Sequence, residues 1–221
     1  MQLEFIPAQS PQPVARYLAT HITDQLDQSR RVLWLLSGGS CIGVAVETAK
    51  LLRGHDLSQL TVSLVDERYG PDNHADSNWQ QLMDAGLDLP GATLHPVLIG
   101  QPHQATAEAF EAFLLHQFAN TDYHLGLLGI GPDGHTSGIL PHSPAVQAPG
   151  LVFTYDGGVY KRITTTAEAL THLSEAVVYV VGQQKWSLLD QLETEPTVAE
   201  QPAQALKLIR KVTVFTDRPQ D

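Results

Sequence analysis

Residues Val32–Leu36, VLWLL, run into Ser37-Gly38-Gly39-Ser40 and then into residues 41–52, CIGVAVETAKLL. Five apolar residues in unbroken succession are the pattern of a parallel strand covered on both faces, because alternation is lost when neither face meets water. The glycine–serine break ends the run, and residues 41–52 read as a helix. Strand, tight turn and helix together form the unit from which α/β sheets are wound.

The same unit recurs along the chain. Residues 60–65 (LTVSLV) form a second buried strand, closed by Asp66-Glu67-Arg68, and residues 77–85 form a short helix. Residues 105–118 are helical, with Phe110, Phe113, Leu114 and Phe118 on one side. Residues 125–130 (LGLLGI) are a third strand, leading into Gly131-Pro132-Asp133-Gly134-His135. Thr165 and Glu168 have capping-box spacing and predict a helix start. Residues 176–181 (AVVYVV) are a fourth strand, a helix surrounds 185–192, and 211–215 form a late strand assigned to a sheet edge. Upstream, residues 3–6 are a short strand and Ser10-Pro11 supplies an N-cap followed by proline at N1. Val14, Leu18, Ile22 and Leu26 then recur every four residues. There is no internal repeat, low-complexity tract or charge block. The alternation predicts an α/β domain with a mostly parallel sheet, and 221 residues suit one domain over 1–221. In such sheets ligands bind beyond the carboxyl ends of the strands. Each polar motif sits at such an end, which predicts one shared site.

Composition narrows the function. The chain carries 13 Lys and Arg against 24 Asp and Glu, a formal charge of −11. No basic stripe is present, which argues against a nucleic-acid partner. No apolar run approaches the roughly 20 residues needed to span a bilayer. The first ten residues lack the basic and apolar regions of a signal peptide. Cys41 is the only cysteine, so no intrachain disulfide can form, and a cytoplasmic location is expected. With so few cations, each one inside a motif is informative.

Ser37-Gly38-Gly39-Ser40 reads either as a plain turn or as an anion cradle, with backbone N–H groups and a helix dipole facing the ligand. Asp66 and Arg68 belong either to a solvated loop or to the wall of a crevice. His74, Asp76, Ser77 and Asn78 follow in a polar loop, where Asp76 or Ser77 caps the next helix. Of the ten histidines, His135 stands out. A rigid glycine- and proline-rich turn presents it directly after a buried strand, with Asp133 near enough to orient the ring for general base chemistry. Arg162 precedes a helix and Lys185 follows a strand, both where cations would reach a common anion. No HExxH, paired cysteines or compact ligand cluster points to a metal. No GxGxxG stands at the first strand–helix turn and no GxSxG elbow is present. Cys41 reads as a packed small residue.

Taken in order, LLSGGS, VDER, HADSN, LGLLGIGPDGHTSGILP, KRITTT and VVGQQKW resemble the 6-phosphogluconolactonases, relatives of the glucosamine-6-phosphate deaminases. The resemblance spans about residues 33–192. It implies a single doubly wound domain with helices on both faces of the sheet. It implies hydrolysis of 6-phosphogluconolactone to 6-phosphogluconate, a step of the oxidative pentose phosphate pathway, with no metal or organic cofactor. The implied partner is a small phosphorylated sugar lactone, without an obligatory protein partner. Ser37, Gly38, Gly39 and Ser40 would cradle the phosphate with Arg162 and Lys185. Asp66 and Arg68 would face the sugar-acid end or the phosphate, and Asp133 and His135 would be the catalytic pair. The chain departs from the family at Cys41-Ile42, where Thr-Pro is usual, and at Ser137-Gly138-Ile139-Leu140-Pro141, where Ala-Ser-Leu-Phe-Pro is usual. Two other functions share these motifs. A deaminase would carry Asn-Glu-Pro soon after the histidine, where Ile139-Leu140-Pro141 stands here. A non-catalytic sugar-phosphate binder would have no use for Asp133 and His135 together.

Overall fold

The computed structural model describes residues 2–194 and 196–219. Its centre is a seven-stranded sheet in the order β1 (Gln2–Pro7), β10 (Lys211–Thr216), β9 (Glu175–Val180), β6 (Tyr123–Leu128), β2 (Val32–Leu36), β3 (Leu60–Leu64) and β5 (Thr93–Leu94). Every neighbouring pair is parallel. The helices are α1 (Pro11–Asp27), α2 (Cys41–Leu51), α3 (Asn78–Asp84), α4 (His103–Asn120), α5 (Ala167–Thr171) and α6 (Trp186–Glu193). No helix among the described residues is long and apolar enough to cross a membrane.

Hydrophobic burial explains the middle of the sheet. All five residues of β2 and all six of β9 are buried. In α1, Pro11 takes the first turn, and Val14, Leu18 and Ile22 are fully buried, which is the face the four-residue spacing required. α1 and α2 pack against each other over the sheet. The chain enters the sheet centre at β2 and adds β3 and β5 on one side. It then returns to place β6 on the other side of β2 and continues outward through β9 and β10. The order of strand addition therefore reverses between β2 and β6, as the doubly wound reading requires. A crevice opens at such a reversal, beyond the carboxyl ends of the two strands.

The structure corrects three local expectations. Residues 211–215 do not lie at an edge: β10 sits between β1 and β9, and the short N-terminal strand β1 covers it. The α5 cap is Thr166, whose hydroxyl accepts from Ala169 N at 3.2 Å, while Thr165 still belongs to a strand. Asp66-Glu67-Arg68 does not simply close β3. It starts β4 (Asp66–Tyr69), which joins β8 (Lys161–Thr165) and β7 (Val152–Asp156) in a separate antiparallel sheet of order β4-β8-β7.

At the amino ends of the central strands, Glu175 is only 2% exposed. Its carboxylate accepts from Tyr17 at 2.7 Å and Tyr123 at 2.6 Å, and pairs with Lys211 at 3.0 Å. These contacts tie α1, β6, β9 and β10 together. Burial alone would raise the Glu175 pKa. Hydrogen bonds from Tyr123, Tyr17 and Lys211, with the pull of His21, overcome it and hold the carboxyl below the ordinary 4.5. A depressed folded-state pKa gives stability that is complete above the unfolded value and lost as pH falls through the folded one. Glu175→Gln is therefore expected to destabilise the protein by about 3 kcal/mol at pH 7. The gap to wild type should narrow as pH drops below the carboxylate range. Urea unfolding at several pH values checks this, and a gap that stays constant into acid would count against it.

Candidate active site

The site begins where β2 and β6 end side by side. Leu36 pairs with Leu127, and Ser37 N donates to Leu127 O at 3.0 Å, so both following loops start from one place. After β2 the chain turns through Gly38 and Gly39, the latter at φ +61, into α2. Cys41 N and Ile42 N bond back to Gly38 O and Gly39 O at 3.3 and 3.1 Å. The N–H groups of Gly38, Gly39 and Ser40 have no acceptor among the described residues. Three free donors at a helix amino terminus are suited to an anion.

After β6, Gly131 N donates to His135 O at 2.9 Å and Gly134 N to Gly131 O at 3.0 Å, closing a tight turn. Gly134 adopts φ +83, and its carbonyl accepts from Ala203 N at 2.9 Å. The turn presents His135, which is about one-third exposed; its Nδ1 lies 2.5 Å from Asp133 Oδ1. The ring lies directly over Gly131: a Cβ there would stand 2.1 Å from His135 Cε1. Burial would raise the Asp133 pKa, but attraction and hydrogen bonding from His135 outweigh it and keep the carboxyl low.

The antiparallel sheet supplies the opposite wall. Its register sets Arg68 directly across from Arg162. Like charges facing each other across two strands are unfavourable without an anion between or beside them. Arg162 Nη1 is 3.7 Å from Asp66 Oδ2. Arg68 donates to Asp76 O at 3.1 Å and stacks on Tyr160, 5.1 Å from the ring centroid. Asp66 is 7% exposed; burial pushes its pKa up, opposed by Arg162, His135 and Arg68. Glu67, between them in sequence, points the other way and is fully buried. Its carboxylate accepts from Arg68 N, Ser77 Oγ, Asn78 N and Trp79 N, and so anchors the start of α3. Tyr155 and Thr164 pin the loop after His135 through the carbonyls of Gly138 and Ser137.

Lys185 ends a single helical turn, Gln183–Lys185, just past β9. That turn hangs on Asp217, which accepts from Gly182 N at 3.0 Å and Trp186 Nε1 at 2.9 Å. Lys185 makes no ion pair among the described residues.

These pieces surround one cleft of about 270 Å³. Of the residues expected from sequence, Ser37, Gly38, Gly39, Ser40, Asp66, Arg68, His135, Arg162 and Lys185 line it, and Asp133 stands behind His135. Asn78, Ser137 and Gly138 also line it, and sequence reasoning assigned them no role. Asn78 follows a capping serine and looked like an ordinary first helical residue. Ser137 adopts φ +51, a left-handed conformation that its residue type does not announce. Ser37 Oγ, Arg68 Nε, Asn78 Oδ1, Ser137 Oγ and Arg162 Nε are buried without a hydrogen-bond partner. Such atoms are uncommon, and their gathering at one cleft marks a polar ligand site. Cys41, below the turn, is buried, and its thiol is pushed up to about 12 by burial, which suits packing and not attack. Among the described residues, no group of three or more His, Cys, Asp or Glu side chains could hold a metal ion.

Comparison with known proteins identifies the family and the fold. The family described as glucosamine-6-phosphate isomerases/6-phosphogluconolactonase matches residues 7–215. The curated 6-phosphogluconolactonase of Treponema pallidum is 30% identical over 198 residues, 82% of this chain and 82% of its own. A crystal structure of a 6-phosphogluconolactonase from Shewanella baltica superposes with a TM-score of 0.82 at 22% identity, covering 97% of each chain. A monomeric glucosamine-6-phosphate deaminase shares the fold at a TM-score of 0.78 and 20% identity, covering 97% of each chain. This chain belongs to the glucosamine-6-phosphate isomerase/6-phosphogluconolactonase family.

Proposed function

We propose that the cleft hydrolyses 6-phospho-D-glucono-1,5-lactone to 6-phosphogluconate, the lactone-opening step of the oxidative pentose phosphate pathway. The observation that carries this reading is the convergence of three free backbone N–H groups, three cations and the His135–Asp133 pair on one cleft. The phosphate docks on the Gly38–Gly39–Ser40 donors, with Lys185 and Arg162 neutralising its charge. Each charge-assisted hydrogen bond contributes about 1.5–3 kcal/mol. That anchor brings the lactone carbonyl to His135. The imidazole takes a proton from water as the water oxygen bonds to the carbonyl carbon. Asp133, on Nδ1, fixes the tautomer that leaves Nε2 free to act. Asp66 holds Arg162, and its charge favours the imidazolium as it forms. Arg68, which forms no ion pair among the described residues, offers positive charge to the developing oxyanion. The imidazolium then returns the proton to the departing ring oxygen, and the ring opens.

The deaminase reading is less well supported. Ile139 is fully buried against Ala145 and Tyr155, so the segment after the histidine offers apolar packing and no carboxylate for opening a sugar ring. The lactonase reading also takes residues 1–221 as one domain, because the main apolar core runs from Ala8 to Phe215. It needs no obligatory protein partner, metal or organic cofactor, and it places the protein in the cytoplasm, where phosphorylated sugars are made.

The lactone can be generated with a glucose-6-phosphate dehydrogenase, and acid release followed against the spontaneous rate. His135→Ala should lose about 10²–10⁴-fold in kcat. Full activity in that variant would remove His135 from catalysis. Gly131→Ala should cost about 10–100-fold in kcat with little change in Tm, because the new methyl group displaces the ring from Asp133. Lys185→Ala breaks no ion pair among the described residues and should mainly raise KM. An unchanged KM would take Lys185 out of the anion site.

A further inference from the structure

Asn78 is 2% exposed and lines the cleft, yet it takes no part in the chemistry described above. Its position is unusual for the first residue of a helix. The start of α3 is already secured without its side chain: Ser77 Oγ accepts from Gln80 N at 3.1 Å, and Glu67 accepts from the backbone N of Asn78 and Trp79. The carboxamide turns inward instead. Its Nδ2 donates to Asp66 O at 3.0 Å, at the point where β3 gives way to β4. That bond settles which end of the amide faces the other way. Oδ1 then lies against Gly38 with no donor, so close that a Cβ on Gly38 would stand 2.1 Å from it. One small side chain therefore touches both walls of the cleft, the glycine–serine turn and the strand that carries Asp66 and Arg68.

We propose that Asn78 is a positioning residue that sets the gap between the Gly38–Gly39 turn and the Asp66–Arg68 strand. It thereby makes the cleft selective for phosphorylated over unphosphorylated lactones. This rests on the lactonase reading for its substrate, though not for its geometry. Removing the carboxamide frees the turn to drift from the arginine wall, and an anion bound between them loses contacts on both sides. Replacing it with a carboxylate of the same shape removes the donor to Asp66 O and sets a negative charge against the cradle.

The test compares kcat/KM for 6-phosphogluconolactone and for unphosphorylated glucono-1,5-lactone in wild type, Asn78→Ala and Asn78→Asp. Calorimetric titration with inorganic phosphate and a Tm accompany each protein. The preference for the phosphorylated lactone should fall about tenfold in Asn78→Ala and about 100-fold in Asn78→Asp. Phosphate affinity should fall in the same order. A role confined to stability would lower Tm and leave the preference intact, and that result in folded variants overturns the proposal. If wild type opens neither lactone faster than water does, the lactonase reading fails and the phosphate titration alone decides. Weaker phosphate binding in both variants then supports a positioning role, and equal affinity overturns it. Should neither variant fold, Gly38→Ala pushes on the same contact from the other side and must also weaken phosphate binding for the proposal to stand.

Discussion

The parallel pairing of β2 with β6 is the constraint on which the site depends. It places the ends of two strands, distant in sequence, one hydrogen-bonded step apart, with Ser37 N bonded to Leu127 O. From that point the glycine–serine turn and the histidine turn diverge into the same crevice. Nothing in either loop creates the crevice. It exists because the chain reverses its direction of strand addition there, so that β2 leads into α2 while β6 leads through the histidine turn toward the antiparallel sheet. The loops contribute backbone donors, a histidine–aspartate pair and cations to a location the sheet has already prepared.

The small antiparallel sheet does work that the central sheet cannot. Strands β4 and β8 set Arg68 opposite Arg162 on one wall, an arrangement that an anion beside them would favour. Asp66 offsets one of the two guanidinium groups, so the wall remains net positive in a protein whose total charge is −11. Local field and overall charge thus have opposite signs. The acidic exterior favours solubility, while the cleft concentrates positive charge where a phosphate would sit.

The fold was largely legible in the sequence because its main signals are burial signals. VLWLL, LTVSLV, LGLLGI and AVVYVV have no polar alternation, and strands covered on both faces need none. Lateral order was not legible. Whether residues 211–215 lie at an edge depends on whether the N-terminal segment reaches across to cover them, and no local pattern encodes that. The antiparallel sheet was missed for a related reason. DERY and KRITT are short and partly polar, and their pairing is a long-range fact. In the site, the histidine turn and the cations stood out by chemistry. Asn78 did not, because its role comes from which way its amide turns, and the cap at Ser77 already explained its place in the chain. The capping residue of α5 was displaced by one position, since Thr165 and Thr166 are chemically alike and only the end of β8 tells them apart.

The Glu175 network and the cleft occupy opposite ends of the same strands. Tyr123, Glu175 and Lys211 open β6, β9 and β10, whereas the turns that carry the free donors and His135 lie beyond strand carboxyl ends. Five or six residues of strand separate the two, about 17–20 Å. Mutations that toughen the lower rim therefore have no direct contact with the reacting atoms. A designer seeking a hardier catalyst, or a lineage adapting to heat, can rework that rim with little cost to turnover, and the cleft can drift toward new lactones while the base of the molecule keeps it folded.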